Sequence, residues 1–230
     1  MVGRPDALKP KAAVSWSTGK DSAYALLRTL AEGKYDVIAL LTTVTTTYNR
    51  VSMHGVRQDL LLEQARRIGL PVVEAKIPSK SDNATYEASM ANATQELRGM
   101  GVTHIIFGDI FLQDVRDYRE SKMRGTGIEP VFPLWGNNTK SLAEEIISSG
   151  IKARIVSLDP TKLDRKFGGS EFDMDFLRTI PKEVDPCGEK GEFHTLVYDA
   201  PFFRLPIPVT NGDSVDREGF YFTDVTVVAR

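Results

Sequence analysis

Five short apolar, β-branched runs, at residues 12–17, 37–44, 72–77, 103–107 and 128–132, alternate with segments patterned for helix. Near-continuous apolar runs suit strands covered on both faces, the situation inside a parallel sheet. Parallel neighbours need a long crossover, and a helix is the usual one. Residues 22–32 carry Leu26, Leu27 and Leu30 and stop at Gly33, while 56–68 carry Leu61, Ala65 and Ile68 and stop before Gly69-Leu70-Pro71. Residues 82–100 open on an Asp-Asn cap and stop at Gly101. The heavily charged 114–124 break at Gly125-Thr126-Gly127. The alternation predicts an α/β fold on a doubly wound, mostly parallel five-stranded sheet.

Past the turn-rich Phe132-Pro133-Leu134-Trp135-Gly136 the character shifts. A helix at 140–149 and a strand at 152–158 continue the α/β pattern. The last 40 residues read as loops and antiparallel strands, of which 219–228 is the clearest. The expected organisation is a loose tail at 1–11, a first domain at 12–136, and a smaller mixed α/β domain at 137–230 that handles substrate.

Bulk properties narrow the setting. Cys187 is the single cysteine, so no intrachain disulfide forms and a reduced, cytoplasmic setting is expected. No apolar run reaches the roughly 20 residues that span a bilayer, and the polar N-terminus lacks the apolar core of a signal peptide. A net charge of −2 gives no electrostatic footprint for sequence-independent nucleic-acid binding, which argues against such a partner.

The first strand runs into Ser15-Trp16-Ser17-Thr18-Gly19-Lys20-Asp21-Ser22 and then a helix. Such a turn aims backbone amides and the positive end of the helix dipole at one point. Hydroxyls of Ser15, Ser17, Thr18 and Ser22 and the Lys20 ammonium add to it, a set suited to a polyanion. It is not a Walker A loop: Asp21 follows the lysine where a metal-binding Ser or Thr is required, and the first glycine is missing. By local pattern alone a ligand-free capped turn is an equal reading.

A second cluster lies at 183–195, Glu-Val-Asp-Pro-Cys-Gly-Glu-Lys-Gly-Glu-Phe-His-Thr. Alone it reads equally as a solvated acidic turn. The first loop, however, resembles the S-G-G-K-D-S loop of the N-type ATP pyrophosphatases, with Thr18 at the first glycine. Residues 188–195 resemble the G-E-N-G-E-F-H-T signature of the diphthine–ammonia ligase family, with Lys190 for Asn. Met53-His54-Gly55-Val56-Arg57, Gly108-Asp109-Ile110 and 132–136 match in the same order.

The resemblance implies a Rossmann-like fold of the adenine nucleotide alpha hydrolase type. It also implies an ATP-dependent amidation, in which a carboxylate is adenylated with loss of pyrophosphate and ammonia displaces AMP. Ser15, Ser17, Thr18, Gly19, Lys20, Asp21 and Ser22 would hold the nucleotide's phosphates, with Asp21 as a Mg²⁺ ligand. By their place at the carboxyl edge of the sheet, Thr42 and Thr43, at the end of the second strand, and Gly108 are candidates to complete the ATP site, the threonines reading equally as core. His54, Arg57, Asp109, Gly188 and Gly191 would meet substrate. Lys20, Glu189, Glu192 and His194 would act in catalysis, Lys20 offsetting charge on the departing oxygens and the others binding the acceptor and ammonia or taking a proton from ammonium. The partners so implied are ATP, ammonia and an unidentified carboxylate acceptor. A nucleotide-sensing module without turnover, and adenylation of another small molecule or an RNA base, stay open, as does assembly as a homodimer.

Overall fold

The computed structural model describes residues 8–79 and 81–228. Of the tail expected over 1–11, residues 1–7 lie outside the described residues, and Lys11 already belongs to the first strand.

All five expected strands are present: β1 (Lys11–Ser15), β2 (Asp36–Thr45), β4 (Val72–Ile77), β5 (His104–Ile106) and β6 (Glu129–Val131). They run parallel in the order β4-β2-β1-β5-β6. A sixth, two-residue strand, β3 (Arg50–Val51), turns back antiparallel along the end of β2 and was not expected. Between them lie α1 (Lys20–Glu32), α2 (Gln58–Ile68), α3 (Asn83–Gly99) and α4 (Gln113–Met123).

Side chains of a strand alternate between faces, and two separate core clusters show it. Ala12 and Val14 of β1, Leu40 of β2 and Ile106 of β5 pack with Ala23 and Leu26 of α1 and Leu60 and Leu61 of α2. Their neighbours Ala13, Leu41 and Ile105 pack the other way, with Ala93 and Leu97 of α3. The sheet is therefore wound on both faces. β1 is its switch point: the chain builds β2 and β4 on one side and β5 and β6 on the other. The crevice beyond the carboxyl ends of β1 and β5 is where such sheets bind ligands.

The C-terminal part holds α5 (Thr139–Ser148), β7 (Lys152–Leu158), α6 (Met174–Thr179), β8 (Phe193–Asp199), β9 (Val209–Arg217) and β10 (Phe220–Val227). Its strands form an antiparallel sheet ordered β8-β7-β10-β9. Ile155 of β7 and Leu196 of β8 enter the same apolar cluster as α1 and α2, so one face of the first sheet and the second sheet share a core.

Candidate active site

The expected strand-turn-helix is present with shifted bounds. β1 ends at Ser15, and α1 begins at Lys20, behind an extended Gly19 that makes no side-chain cap; Asp21 and Ser22 sit inside the first turn. Thr18 takes the reversal at φ +71°. A β-branched residue there is costly, so its surroundings must hold it. The Thr18 carbonyl accepts from the Val197 amide at 2.9 Å and from Gln64 Nε2 at 3.1 Å. The Lys20 amide donates to Thr195 Oγ1 at 3.0 Å. β8 thus clamps the loop from the C-terminal part, and the Thr18 hydroxyl is buried with no partner among the described residues.

The loop opens on a cavity of about 470 Å³ at the switch-point crevice. Ser15, Ser17, Asp21 and Ser22 line it from the loop, and Thr43 from β2. Gly108 and Asp109 line it from the end of β5, His54 from the turn after β3, and Gly188, Glu189 and His194 from the 183–195 segment. Gly108 has no room for a side chain, since a Cβ would lie 2.9–3.0 Å from the backbone of Asp21 and Ser22. Gly19 is bare for a related reason: a Cβ would meet His54 Cε1 at 2.8 Å.

Other expected site residues stand behind this wall. Lys20 is 1% exposed, and its ammonium turns inward, 2.8 Å from Asp21 Oδ2 and 2.5 Å from the Cys187 carbonyl. Burial opposes its charge, yet Asp21, together with Cys187 and Glu189, holds the pKa above the ordinary lysine value. Thr42 is buried and donates to the Trp16 carbonyl. Arg57 is held at its Nε and Nη2 by Asp224 of β10, in place of the free guanidinium expected for a substrate carboxylate. Glu192 is buried, its Oε1 accepting from the Asp185 amide at 3.2 Å. Gly191 forms a turn outside the cavity wall.

The 183–195 segment is only partly a loop, because β8 begins at Phe193 and includes His194 and Thr195. Asp185 Oδ1 accepts from the Cys187 and Glu189 amides and pins the turn that carries Glu189. Glu189 Oε1 accepts from the Ile110 amide at 2.8 Å; burial nevertheless raises its pKa to about 7. The His54 and His194 rings lie 4.6 Å apart. Burial lowers His54 to about 4 and His194 well below the ordinary value, with the Lys20 charge contributing. His54 Nδ1 sits 3.2 Å from the Thr195 carbonyl. A carbonyl only accepts, so Nδ1 carries the hydrogen and Nε2 keeps its lone pair. The wall therefore pairs the 15–22 loop with a carboxyl that titrates near neutrality and two uncharged imidazoles.

Sequence reasoning missed Gln64, Thr195 and Arg119. Gln64 and Thr195 bind loop backbone, and Arg119 of α4 pairs with Asp109 at 2.7 Å on the cavity wall. A polar residue inside the apolar helical pattern of α2 was the one available sign of Gln64.

A second, larger cavity of about 720 Å³ adjoins the first and shares Thr43, Val51, Ser52, Met53 and Tyr86 with it. No residue of 15–22 lines it. Of the two, the smaller is the one that the 15–22 loop lines.

The family model described as diphthamide synthase N-terminal domain matches residues 10–130, and the one described as diphthamide synthase C-terminal domain matches 138–227. The chain belongs to the diphthamide synthase family. Its relatives include proteins named diphthine–ammonia ligase. That of Schizosaccharomyces pombe is 27% identical over 220 residues, covering 87% of this chain and 36% of its own length. Those of Mus musculus and Homo sapiens are 27% and 26% identical, each over 91% of this chain and 86% of the relative. The chain thus spans about a third of the fission yeast relative and most of the mammalian ones. In this diphthamide synthase family member, the residues between the two matched spans include the turn at 132–136. No helix among the described residues is long and apolar enough to cross a membrane.

Proposed function

We propose that this protein is an ATP-dependent amide ligase that joins ammonia to a carboxylate; the name of its relatives, diphthine–ammonia ligase, makes diphthine the candidate acceptor. The observation that carries the reading is that one cavity unites the 15–22 loop with Glu189, His54 and His194.

The acceptor carboxylate forms a bond to the α-phosphorus of ATP, and the bond to pyrophosphate breaks. Ammonia then attacks the acyl carbon, AMP departs, and one proton is released. Loop amides and the Ser17 hydroxyl hold the phosphates, with Thr18, Gly19, Lys20 and Ser22, whose hydroxyl donates to the Gly19 carbonyl, shaping the turn behind them. Glu189, titrating near pH 7, takes the proton from ammonium or from the amine as it adds. His54 Nε2 accepts a hydrogen bond from the nitrogen and orients it. Uncharged imidazoles suit this place, because an imidazolium would repel ammonium.

Asp21 fits Mg²⁺. Its carboxylate lines the cavity, and this ion is commonly held by one or two carboxylates plus phosphate oxygens. When bound, Mg²⁺ supplies charge neutralisation at the phosphates. The adjoining cavity, with Tyr86, Phe220 and Phe222 in its wall, would take the body of the acceptor, in keeping with a substrate-handling role for 137–230.

Product analysis with Mg-ATP, ammonium and a diphthine-bearing acceptor tests the reading. AMP, pyrophosphate and a new amide are expected. ADP and phosphate would exclude adenylation, and tight ATP binding with no turnover would favour a sensing module.

A further inference from the structure

The candidate nucleotide cavity has an unusual balance of charge. Asp21, Asp109 and Glu189 bring three carboxyl groups to its wall, and Arg119 is the sole lysine or arginine there among the described residues. Lys20, the cation expected to meet the phosphates, has its ammonium enclosed by the Asp21 carboxylate, the Cys187 carbonyl and the Phe172 and Phe193 rings. His54 and His194 are uncharged near neutral pH.

Arg119 is held as a recognition residue is held. Its Nε lies 2.7 Å from Asp109 Oδ2, and its Nη2 donates to Oδ1 at 3.1 Å. The guanidinium carbon lies 4.5 Å from the centre of the Phe107 ring, so one face of the group is covered. One face is covered and Nη2 is engaged; Nε meets Oδ2 as a charge contact without a hydrogen bond, and Nη1 has no partner among the described residues. The group's place is also set. Asp109 follows Gly108, whose backbone is packed on Asp21 and Ser22, and the ion pair lines the same cavity as Ser17, Asp21 and Ser22.

We propose that Arg119 binds the phosphate oxygens of the nucleotide through its free Nη1 edge, with Asp109 and Phe107 as the residues that position it. The proposal rests on the nucleotide reading above and adds to it the cation that the loop does not present. Arginine suits the task because its planar fork keeps its charge at any working pH and can serve a carboxylate and a phosphate at once.

Calorimetric titration of the full chain with Mg-ATP and with adenosine tests it. Arg119→Gln should weaken Mg-ATP by about tenfold or more, the scale of one charge-assisted hydrogen bond, and leave adenosine binding unchanged. Arg119→Lys, which keeps the charge without the fork, should fall between. Arg116→Gln is the control: Arg116 lies on the same helix, stacks over Phe132 and Trp135, and does not line the cavity. It should bind as the unsubstituted chain does. Thermal unfolding checks that each variant folds, and Arg119→Lys carries the test if Arg119→Gln does not. Unchanged Mg-ATP affinity in a folded Arg119 variant overturns the proposal, as does an equal loss for adenosine. Failure of the unsubstituted chain to bind Mg-ATP would instead overturn the nucleotide reading, and this proposal with it.

Discussion

The side-chain amide of Gln64 donates to the backbone carbonyl of Thr18, across 46 positions of sequence, and so helps hold a β-branched residue at φ +71°. The same amide nitrogen reaches the Val197 carbonyl at 2.6 Å, and Oε1 accepts from Trp16 Nε1 at 2.8 Å. An indole nitrogen only donates and a carbonyl only accepts, so this orientation of the amide is the sole one that satisfies all three. Gln64→Leu leaves buried polar groups unpaired and should cost about 3 kcal/mol, read by urea unfolding. A cost under about 1 kcal/mol would show that the clamp is not a structural element.

Thr18 itself separates two roles. Its hydroxyl is buried, without a partner among the described residues, and absent from the cavity wall. Thr18→Val keeps the shape and removes that hydroxyl, so it should stabilise the fold by about 1 kcal/mol and leave Mg-ATP affinity unchanged. A tenfold loss of affinity would instead make the hydroxyl a phosphate donor.

Glu189 predicts two pH dependences of defined sign. As the proton acceptor it must be ionised, so the rate with ammonium should rise through about pH 7, and Glu189→Gln should lose most activity and this limb. Its raised pKa favours the neutral form in the fold. The stability it contributes is full below the ordinary value of 4.5 and is lost as pH rises through about 7. The Tm of Glu189→Gln should therefore climb relative to that of the unsubstituted chain across this interval. A constant difference would rule out the shift.

Gly108→Ala inserts a methyl 2.9 Å from the Asp21 backbone, and backbone cannot swing aside. Overpacking should cost about 1–3 kcal/mol and push the start of α1 out of register with the loop. Mg-ATP affinity should fall by more than the stability loss explains. Unaltered affinity would mean that the contact does not set the loop.

Arg57 and Asp224 form a partly exposed pair that also includes Arg50, which donates to the Asp224 carboxylate and the Gly55 carbonyl. Arg57→Ala should cost about 1 kcal/mol of stability and leave the KM for ATP as it is. A rise in that KM would return Arg57 to the substrates, where the family resemblance put it.

The strands and helices of the first sheet were legible because parallel strands are apolar on both faces and their crossovers are punctuated by glycine. β3 was not, since two residues carry no period. The 183–195 segment read as a loop because its glycines and acids hide a strand that starts only at Phe193. The cavity wall was legible where backbone geometry and motif coincide, at Ser17, Asp21, Gly108 and Glu189. It was illegible where a role depends on a distant partner. Nothing near Lys20 says that its ammonium turns inward toward Cys187, and nothing near Arg119 says that it meets Asp109.

The hold of Thr195 and Val197 on the loop bears on the order of events while the chain is made. Residues 16–20 emerge from the ribosome early, but the partner of the Lys20 amide lies 175 positions downstream. Until that stretch is synthesised, the reversal at Thr18 has no strand to lean on. A nascent chain stalled before β8 should therefore be unable to retain nucleotide, however well its first sheet has folded.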